Sequence, residues 1–147
     1  MGNLSITKDG FIISTDKNLL DINAIHEFLS VEAYWSMGIP RSTVERSIQN
    51  SLCFGLYEGK KQIGFARIIS DYATIAYLGD VYILKDYRGK GLSKWLIETI
   101  MAHPNLQNLR RWILLTGDAH GLYRQFGWTE IADPSKWMEI HDKHAYK

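Results

Sequence analysis

The stretch Tyr82–Ser93, which reads YILKDYRGKGLS, joins an apolar β-type run to a helix-like run. Between the two runs lie Arg88, Lys90 and two of the chain's 12 glycines, Gly89 and Gly91. The first amides of a helix have no partners inside the helix, and the helix dipole favours negative charge beside them. Glycine lets such amides approach a phosphate closely, and the two cations suit a pyrophosphate. The segment is therefore predicted to hold a diphosphate against the start of a helix.

The plain alternative for an Arg-Gly-x-Gly sequence is a turn with solvated charges. Two other phosphate-binding patterns do not fit. A Walker A loop needs Gly-Lys-Ser/Thr, but Lys90 is followed by Gly91. A dinucleotide fingerprint needs a third glycine three residues after the second, and Lys94 stands there. The failed Walker pattern argues against a nucleotide hydrolase.

The composition is that of an ordinary soluble globular protein. The chain has 147 residues with 46% hydrophobic and 22% charged residues, and its net charge is +1. We therefore expect one domain over residues 1–147, with no nucleic-acid or membrane partner. Cys53 is the single cysteine, so no internal disulfide can form, and the N-terminal residues lack the apolar stretch of a secretory signal. These features favour a cytoplasmic protein.

Hydrophobic periodicity predicts a mixed set of elements. Strands are predicted over residues 11–14, 52–57, 62–69, 73–84 and 111–116, with closing strands over 128–131 and 137–140. Helices are predicted over residues 18–29, 42–50, 91–102 and 119–126. Ser42 and Glu45 have the spacing of a capping box, Asp118 is placed to cap the last helix, and Gly127 to end it. The order implies an α/β (α+β) fold, a mixed sheet with helices on both faces.

The glycine segment resembles the acetyl-CoA signature of the GCN5-related N-acetyltransferase (GNAT) superfamily, commonly written Gln/Arg-x-x-Gly-x-Gly/Ala. Arg88, Gly91 and Ser93 take the three positions, and serine departs from the pattern at the last one while remaining small. Downstream, DAHGLYRQFGW resembles the motif Ala-x-x-x-Tyr-x-x-x-Gly-Phe. Its positions are filled by Ala119, Tyr123, Gly127 and Trp128. The order of elements agrees with the family across nearly the whole chain.

This resemblance implies a twisted sheet of six to seven strands, about four helices, and splayed fourth and fifth strands. It also implies acetyl-CoA as co-substrate and no metal. The pantetheine arm would pair with the backbone of Val81, Tyr82 and Ile83, and Thr116 stands where many relatives carry an asparagine beside this arm. Ordinary strand propensity also explains Thr116. The pyrophosphate would take amides from Arg88, Gly89, Lys90, Gly91, Leu92 and Ser93.

The family reaction is direct attack of a neutral amine on the thioester, and Tyr123 matches the general acid that protonates the leaving thiolate. Packing of the helix against the sheet is the alternative role for Tyr123. Relatives often place a basic Glu or His on the fourth strand, but those positions hold Tyr77 and Gly79 here. Asp80 is the nearest carboxylate. Regular strand alternation points it away from Gly79, although a β-bulge would re-aim it.

A structural aspartate bonded to the backbone or to a basic partner is the rival interpretation of Asp80. Glu32 and His120 are lesser candidates for the base, and water can also take the proton. The function implied is an N-acetyltransferase that acts on a primary amine. The alternative is a catalytically weak acyl-CoA-binding sensor or partner-binding module on the same fold.

The resemblance places the acceptor site in residues 30–41 and the strands that face them. Tyr34 and Trp35 would supply an apolar wall, Glu32 an anchor for a cationic amine, and Arg67 a partner for an acceptor carboxylate. The alternatives are a lid packed on its own core and an outward-facing Arg67. A small-molecule amine or amino-acid-like acceptor is expected, polyamines, antibiotics and protein N-termini stay open, and a homodimer is plausible.

Overall fold

The computed structural model describes residues 2–147 and contains a six-stranded sheet in which strands adjacent in sequence are adjacent in space. The strands are β1 Ser5–Lys8, β2 Phe11–Ser14, β3 Leu52–Glu58, β4 Lys61–Ser70, β5 Ile75–Ile83 and β6 Arg111–Leu114. Pairs from β1 to β5 are antiparallel, and β6 is parallel to β5. A parallel pair needs a crossover connection, and a helix supplies it here.

Four α-helices accompany the sheet: α1 Ile22–Glu27, α2 Arg41–Gln49, α3 Leu92–Met101 and α4 His120–Arg124. Short 3₁₀ turns lie at Lys17–Leu19, Lys85–Tyr87, Pro104–Leu106 and Pro134–Lys136, and a π-helical turn at Phe28–Glu32. The mixed sheet with about four helices confirms the predicted fold class. In the described residues, no helix combines the length and the apolar character that a membrane span requires.

Two hydrophobic clusters bury the two faces of the sheet. One packs α3, through residues such as Leu96 and Ile100, against Phe54 and its neighbours. The other packs α1 and α2 against Cys53 and Phe65. Successive residues of a strand point to opposite faces, which explains why the neighbours Cys53 and Phe54 belong to different clusters. Both faces are therefore covered by helices, as predicted.

The strands β5 and β6 separate along their length. Their register runs from Ile75 opposite Arg111 to Leu78 opposite Leu114, where β6 ends. β5 continues to Ile83, so from Gly79 onward its edge away from β4 has no strand partner within residues 2–147. This end of the pairing agrees with the predicted splay, and the two strands are fifth and sixth here because one unpredicted strand, β1, precedes them.

The first strand, β1, was not predicted, whereas β2 coincides with the strand predicted over residues 11–14. Asp9 and Gly10 connect β1 to β2, with φ angles of 53° and 85°. Two consecutive residues with positive φ are the requirement of a type I′ turn, for which Asp-Gly is a favoured pair. The dipeptide was therefore a usable signal for an N-terminal strand.

Two predicted caps are wrong. α2 begins at Arg41 with Pro40 at its N-cap, and Glu45 pairs with Arg41 at 3.3 Å instead of closing a capping box with Ser42. The Pro40 carbonyl accepts from the amides of Thr43 and Val44 at 3.1 and 3.2 Å, so Ser42 already lies inside the helix and cannot be its N-cap. α4 has Ala119 at its N-cap and no side-chain cap from Asp118. Its C-terminal glycine, Gly127, is confirmed with φ 90°.

The predicted closing strands are also wrong, because residues 128–131 and 137–140 form no strand in the described structure. Their aromatic residues pack individually. Trp128 lies edge-on to Trp112 with ring centroids 6.0 Å apart, and Trp137 lies under the Arg111 guanidinium at 5.2 Å. Within residues 2–147, β6 therefore ends the sheet as an edge strand.

Candidate functional site

The loop between β5 and α3 is shaped by two left-handed glycines. Gly89 has φ 80° and Gly91, at the N-cap of α3, has φ 77°. A Cβ on either would meet nothing within 4 Å. Glycine is therefore required here by backbone conformation and not by crowding.

The amides of this loop point to no acceptor. Among residues 2–147, no backbone or side-chain group accepts a hydrogen bond from the amides of residues 89–94. Arg88 ties the loop to the end of β5, since its Nε donates to the Ile83 carbonyl at 2.9 Å. Unpaired amides at the start of a ten-residue helix, flanked by Arg88 and Lys90, suit an anionic ligand. The residues present therefore fit a diphosphate.

The free edge of β5 leads directly into this loop. Tyr82 and Ile83 pair with Phe65 and Gly64 of β4 on their other side. The Tyr82 ring stacks on Phe28 with centroids 3.8 Å apart, and its burial raises the pKa of the hydroxyl. Side chains thus fix the strand firmly, while its outer edge can take a further extended group.

A β-bulge interrupts β5 at Asp80. Phe65 faces Tyr82 and Arg67 faces Gly79, so two residues of β5, Asp80 and Val81, oppose the single residue between Phe65 and Arg67. Asp80 has φ 53°, a left-handed conformation. The extra residue cancels the alternation at this point. Of the two alternatives for Asp80, regular alternation is therefore excluded and the β-bulge is present, with the side chain against Arg67.

Asp80 is held by two donors. Arg67 Nε donates to its Oδ2 at 2.8 Å, and Trp35 Nε1 donates to its Oδ1 at 3.0 Å. The side chains of Arg67 and Asp80 are only 17% and 12% exposed. Arg67 also donates from Nη1 to the Ser51 hydroxyl at 3.2 Å. Arg67 is therefore a partly buried ion-pair partner and not an outward-facing residue.

Trp35 and its neighbour Tyr34 form what we call the aromatic bridge. Their rings meet edge-on with centroids 5.1 Å apart. The Tyr34 hydroxyl accepts a hydrogen bond at 3.1 Å from the amide of Gly117, in the loop after β6. Trp35 binds Asp80 on β5. The bridge therefore joins the two strands of the splay, and the nearby Glu32 is exposed, with no ion pair within the described residues.

Tyr123, on α4, is buried with 7% exposure and contacts Trp128. Burial, together with the negative charge of Asp118, raises the pKa of Tyr123 to about 12. Its hydroxyl makes no hydrogen bond with any group of residues 2–147. The phenol therefore stays protonated at neutral pH and has a proton to donate.

Thr116 and His120 flank the turn into α4. Thr116 Oγ1 accepts from the amides of Ala119 and Asp118, at 3.0 and 3.4 Å, which shapes the turn. His120 lines a cavity of about 250 Å³ together with residues of β6 and of the segment after α4. Thr116 lines the same cavity. The structure thus brings Asp80, Arg67, Tyr34 and Trp35 together, and none of these four residues lines the cavity of His120.

The model of the acetyltransferase (GNAT) domain matches residues 49–130, which include β3 to β6, the glycine loop and α4. The chain belongs to the GNAT acetyltransferase family. A curated Gibberella zeae protein, named as a candidate acetyltransferase, is 32% identical and aligns with 80% of this chain and 77% of its own length.

Solved acetyltransferase structures share the fold. A GNAT-family crystal structure from Xanthomonas campestris is 48% identical, with a TM-score of 0.92 over 95% of this chain and 99% of that chain. A GNAT-family acetyltransferase from Elizabethkingia anophelis with acetyl-CoA bound has the same fold at 11% identity. Its TM-score is 0.64 over 92% of this chain and 91% of that chain.

Two residues of the candidate site were not predicted, Ser51 and Gly117. Ser51 lies 16 positions from Arg67 in sequence and meets it only through the pairing of β3 with β4. A Cβ on Gly117 would lie 3.0 Å from the Tyr34 hydroxyl oxygen, so glycine permits this close approach. A glycine directly after a predicted strand was the available signal for Gly117, and Ser51 had none.

Proposed function

We propose that this GNAT acetyltransferase uses acetyl-CoA to acetylate a primary amine by direct attack on the thioester. One observation carries the proposal: the unpaired amides of residues 89–94 continue directly from the free edge of β5. A diphosphate joined to an extended, amide-containing arm matches both features. The bound acetyl-CoA in related folds from Elizabethkingia anophelis and Clostridium acetobutylicum supports the choice of ligand.

Each part of the co-substrate has proposed partners. The amides of residues 89–93 and the side chains of Arg88 and Lys90 would hold the pyrophosphate, whereas the Arg88 amide already donates to the Lys85 carbonyl at 3.3 Å. The backbone of residues 81–83 would pair with the pantetheine arm, although the Ile83 carbonyl already accepts from Arg88. Thr116 would contact the same arm. When bound, acetyl-CoA supplies the activated acyl carbonyl.

Tyr123 is proposed as the general acid. Its burial and raised pKa, about 12, keep it protonated, and its hydroxyl has no competing partner among residues 2–147. It would give its proton to the departing thiolate as the C–S bond breaks. Positioned acid catalysis typically contributes about 10²–10⁴ in rate.

Asp80 is proposed to receive the amine and to take up its proton. The bulge directs its carboxylate toward the aromatic bridge, and each oxygen retains a lone pair beyond its bond to Arg67 or Trp35. The exposed Glu32 would add negative charge for a cationic acceptor. We propose a small-molecule amine acceptor for this reason, because Arg67, the residue predicted to bind the carboxylate of an amino-acid-like acceptor, is already bound to Asp80.

Acetyl-CoA binding is tested by thermal unfolding. At about 100 times its dissociation constant, a ligand stabilises the native state by about 2.7 kcal/mol. For a chain of this length that corresponds to a melting temperature increase of about 5–10 °C. ATP and NAD are expected to leave the melting temperature unchanged. No shift at millimolar acetyl-CoA would contradict the proposal.

Catalysis is tested by release of free thiol with a panel of primary amines. Tyr123→Phe is expected to lower kcat about 100-fold or more while acetyl-CoA binding stays unchanged. Full turnover by Tyr123→Phe would exclude the acid role. A thermal shift without thiol release from any amine would favour the acyl-CoA sensor instead. An unaltered pH–rate profile in Asp80→Asn would exclude Asp80 as the base.

A homodimer and a cytoplasmic location complete the proposal. The edge strand β6 and the almost fully exposed Met138 and Ile140 support self-association, since large exposed apolar groups commonly mark interfaces. The free, buried Cys53 suits a reducing compartment. Light scattering at several protein concentrations tests the dimer, and a constant monomer mass would contradict it.

A further inference from the structure

The aromatic bridge spans the open end of the cleft between β5 and β6. β5 contributes Asp80, which accepts from Trp35 at 3.0 Å, and the loop after β6 contributes Gly117, which donates to Tyr34 at 3.1 Å. The pairing of β5 with β6 ends at Leu78 and Leu114. The bridge therefore crosses the cleft just beyond the point where the strands part.

The base of the bridge is anchored in the core. Ala33 is 1% exposed, and its amide donates to the Phe28 carbonyl at 2.9 Å. Ser36 is 6% exposed, and its hydroxyl donates to the Leu29 carbonyl at 2.7 Å. The rings themselves are 64% and 44% exposed, for Tyr34 and Trp35 respectively. The bridge therefore has a fixed backbone and exposed rings, and one hydrogen bond holds it to each side of the cleft. We call this edge of the cleft the rim.

The side chains at this rim define its chemistry. Glu32 contributes negative charge, Asp80 contributes free lone pairs within its neutral ion pair with Arg67, and the two rings contribute aromatic faces, which attract cations. Arg67 offers no free positive charge, because it is bound to Asp80 and Ser51. The rim therefore suits a cationic amine better than a group that carries a carboxylate.

We propose that the aromatic bridge sets acceptor specificity: it admits a compact cationic amine to Asp80 and excludes an amine at the end of a bulky chain, such as a peptide N-terminus. This inference rests on the proposed acetyl transfer. A bulky acceptor has to break the bond between Tyr34 and Gly117, whereas a compact one passes beside it. Tyr34 and Trp35 are thus specificity-determining residues.

The test compares kcat/KM for a short diamine and for a tripeptide with a free N-terminus. Tyr34→Phe removes the hydroxyl, and Gly117→Ala displaces it because the new Cβ would lie 3.0 Å from the Tyr34 oxygen. Each variant is expected to raise the peptide-to-diamine ratio about tenfold or more, with an unchanged KM for acetyl-CoA. The control Tyr72→Phe removes the hydroxyl of an exposed tyrosine that lies between β4 and β5, outside residues 30–41, and should keep the ratio within about twofold. Ratios within about twofold of wild type in both test variants would overturn the proposal, as would a wild type that prefers the peptide.

A second readout does not depend on turnover. Hydrogen exchange of the Gly117 amide, followed by NMR, should be several-fold faster in Tyr34→Phe than in wild type, with the amides of β4 unchanged. Equal exchange rates at Gly117 would overturn the bridge itself. A third outcome is that acetyl-CoA binds and Gly117 exchange is faster in Tyr34→Phe, but no amine is acetylated. That outcome contradicts the proposed reaction and the specificity proposal that rests on it, and it supports only the bridge.

Discussion

At Asp80, the rule that successive strand residues point to opposite faces gives the wrong orientation. The position of Asp80 in a β-branched and aromatic run predicts a strand, and the strand is present. Alternation then predicts the wrong face for its side chain, because the rule assumes that each residue of one strand lies opposite one residue of the next. The bulge opposite Ala66 adds one residue and moves the carboxylate onto Arg67. A bulge depends on the pairing of two strands, so the strand's own sequence did not predict it.

The first prediction concerns the stability contributed by this contact. Asp80→Ala is expected to lower the free energy of unfolding by about 3 kcal/mol, because it leaves the partly buried Arg67 without its ion partner. Left-handed backbone at the new alanine adds about 1 kcal/mol. Urea unfolding measures the loss.

Two further variants separate these causes. Asp80→Asn keeps the size and tolerates positive φ, so the loss it shares with Asp80→Ala belongs to the charge. Arg67→Met in the Asp80→Ala background should recover part of the stability, since no unpaired cation remains. A loss below about 1 kcal/mol in Asp80→Ala would show that the ion pair contributes little.

At the scale of elements, periodic segments were predictable and boundaries were not. The strands β3 to β5 and the helix α3 bury continuous or periodic apolar residues, and each lies close to its predicted range. The cap of α2 failed because Pro40 supplied a competing helix start. The closing strands failed because Trp128 and Trp137 have strand-like neighbours but pack as single aromatic contacts.

In the candidate site, too, local features were predictable from the sequence and long-range contacts were not. The glycine loop follows from local sequence, since left-handed glycines and a helix start are local properties. Tyr34 and Trp35 were predicted as a wall from their position between two helices. Their bonds to Gly117 and Asp80 span 83 and 45 residues, so tertiary structure alone reveals them.

The second prediction tests the left-handed backbone at the start of α3. Gly91→Ala should lower stability by about 1–2 kcal/mol, because its φ is 77° and the alanine Cβ meets no other cost in open space. Acetyl-CoA affinity should fall as well if the loop holds the pyrophosphate. Thermal or urea unfolding gives the stability change.

Gly121 provides a matched control. It lies in α4, and a Cβ there also meets nothing within 4 Å, but its φ is not positive. Gly121→Ala should therefore raise stability by up to about 1 kcal/mol. If both alanines change stability equally, backbone conformation at Gly91 is not the determining factor.

On the scale of the whole molecule, one buried histidine makes the stability of the fold depend on pH. His103 follows α3, is 6% exposed, and lies edge-on to Phe54 with ring centroids 5.7 Å apart. Its Nδ1 accepts from the Asn105 amide at 3.1 Å. Burial lowers the pKa of His103 below its ordinary 6.5, so the folded protein favours the neutral ring.

The third prediction is a loss of stability in mild acid. Below about pH 6.5 the unfolded chain binds a proton at this histidine and the folded chain does not, so stability falls as pH decreases. The stability that the neutral, buried His103 contributes is complete above about pH 6.5 and is lost as the pH falls toward the lower pKa of the folded state. Urea unfolding between pH 7.5 and 5 measures the slope. His103→Asn retains an acceptor for the Asn105 amide and should show a smaller slope, whereas an identical slope would assign the effect to other groups.

The sequential strand order also has a consequence for how the chain reaches its native state. β3, β4 and β5 form two hairpins between near neighbours, whereas β5 and β6 meet only after the whole of α3 has been placed between them. Closing a longer loop costs more entropy, so we expect the meander first and β6 late. Pulse-labelled exchange during refolding should protect the β4 amides before those of residues 111–114. The cleft would then be the last feature to form, and weak late contacts there would open it without unfolding the rest of the sheet.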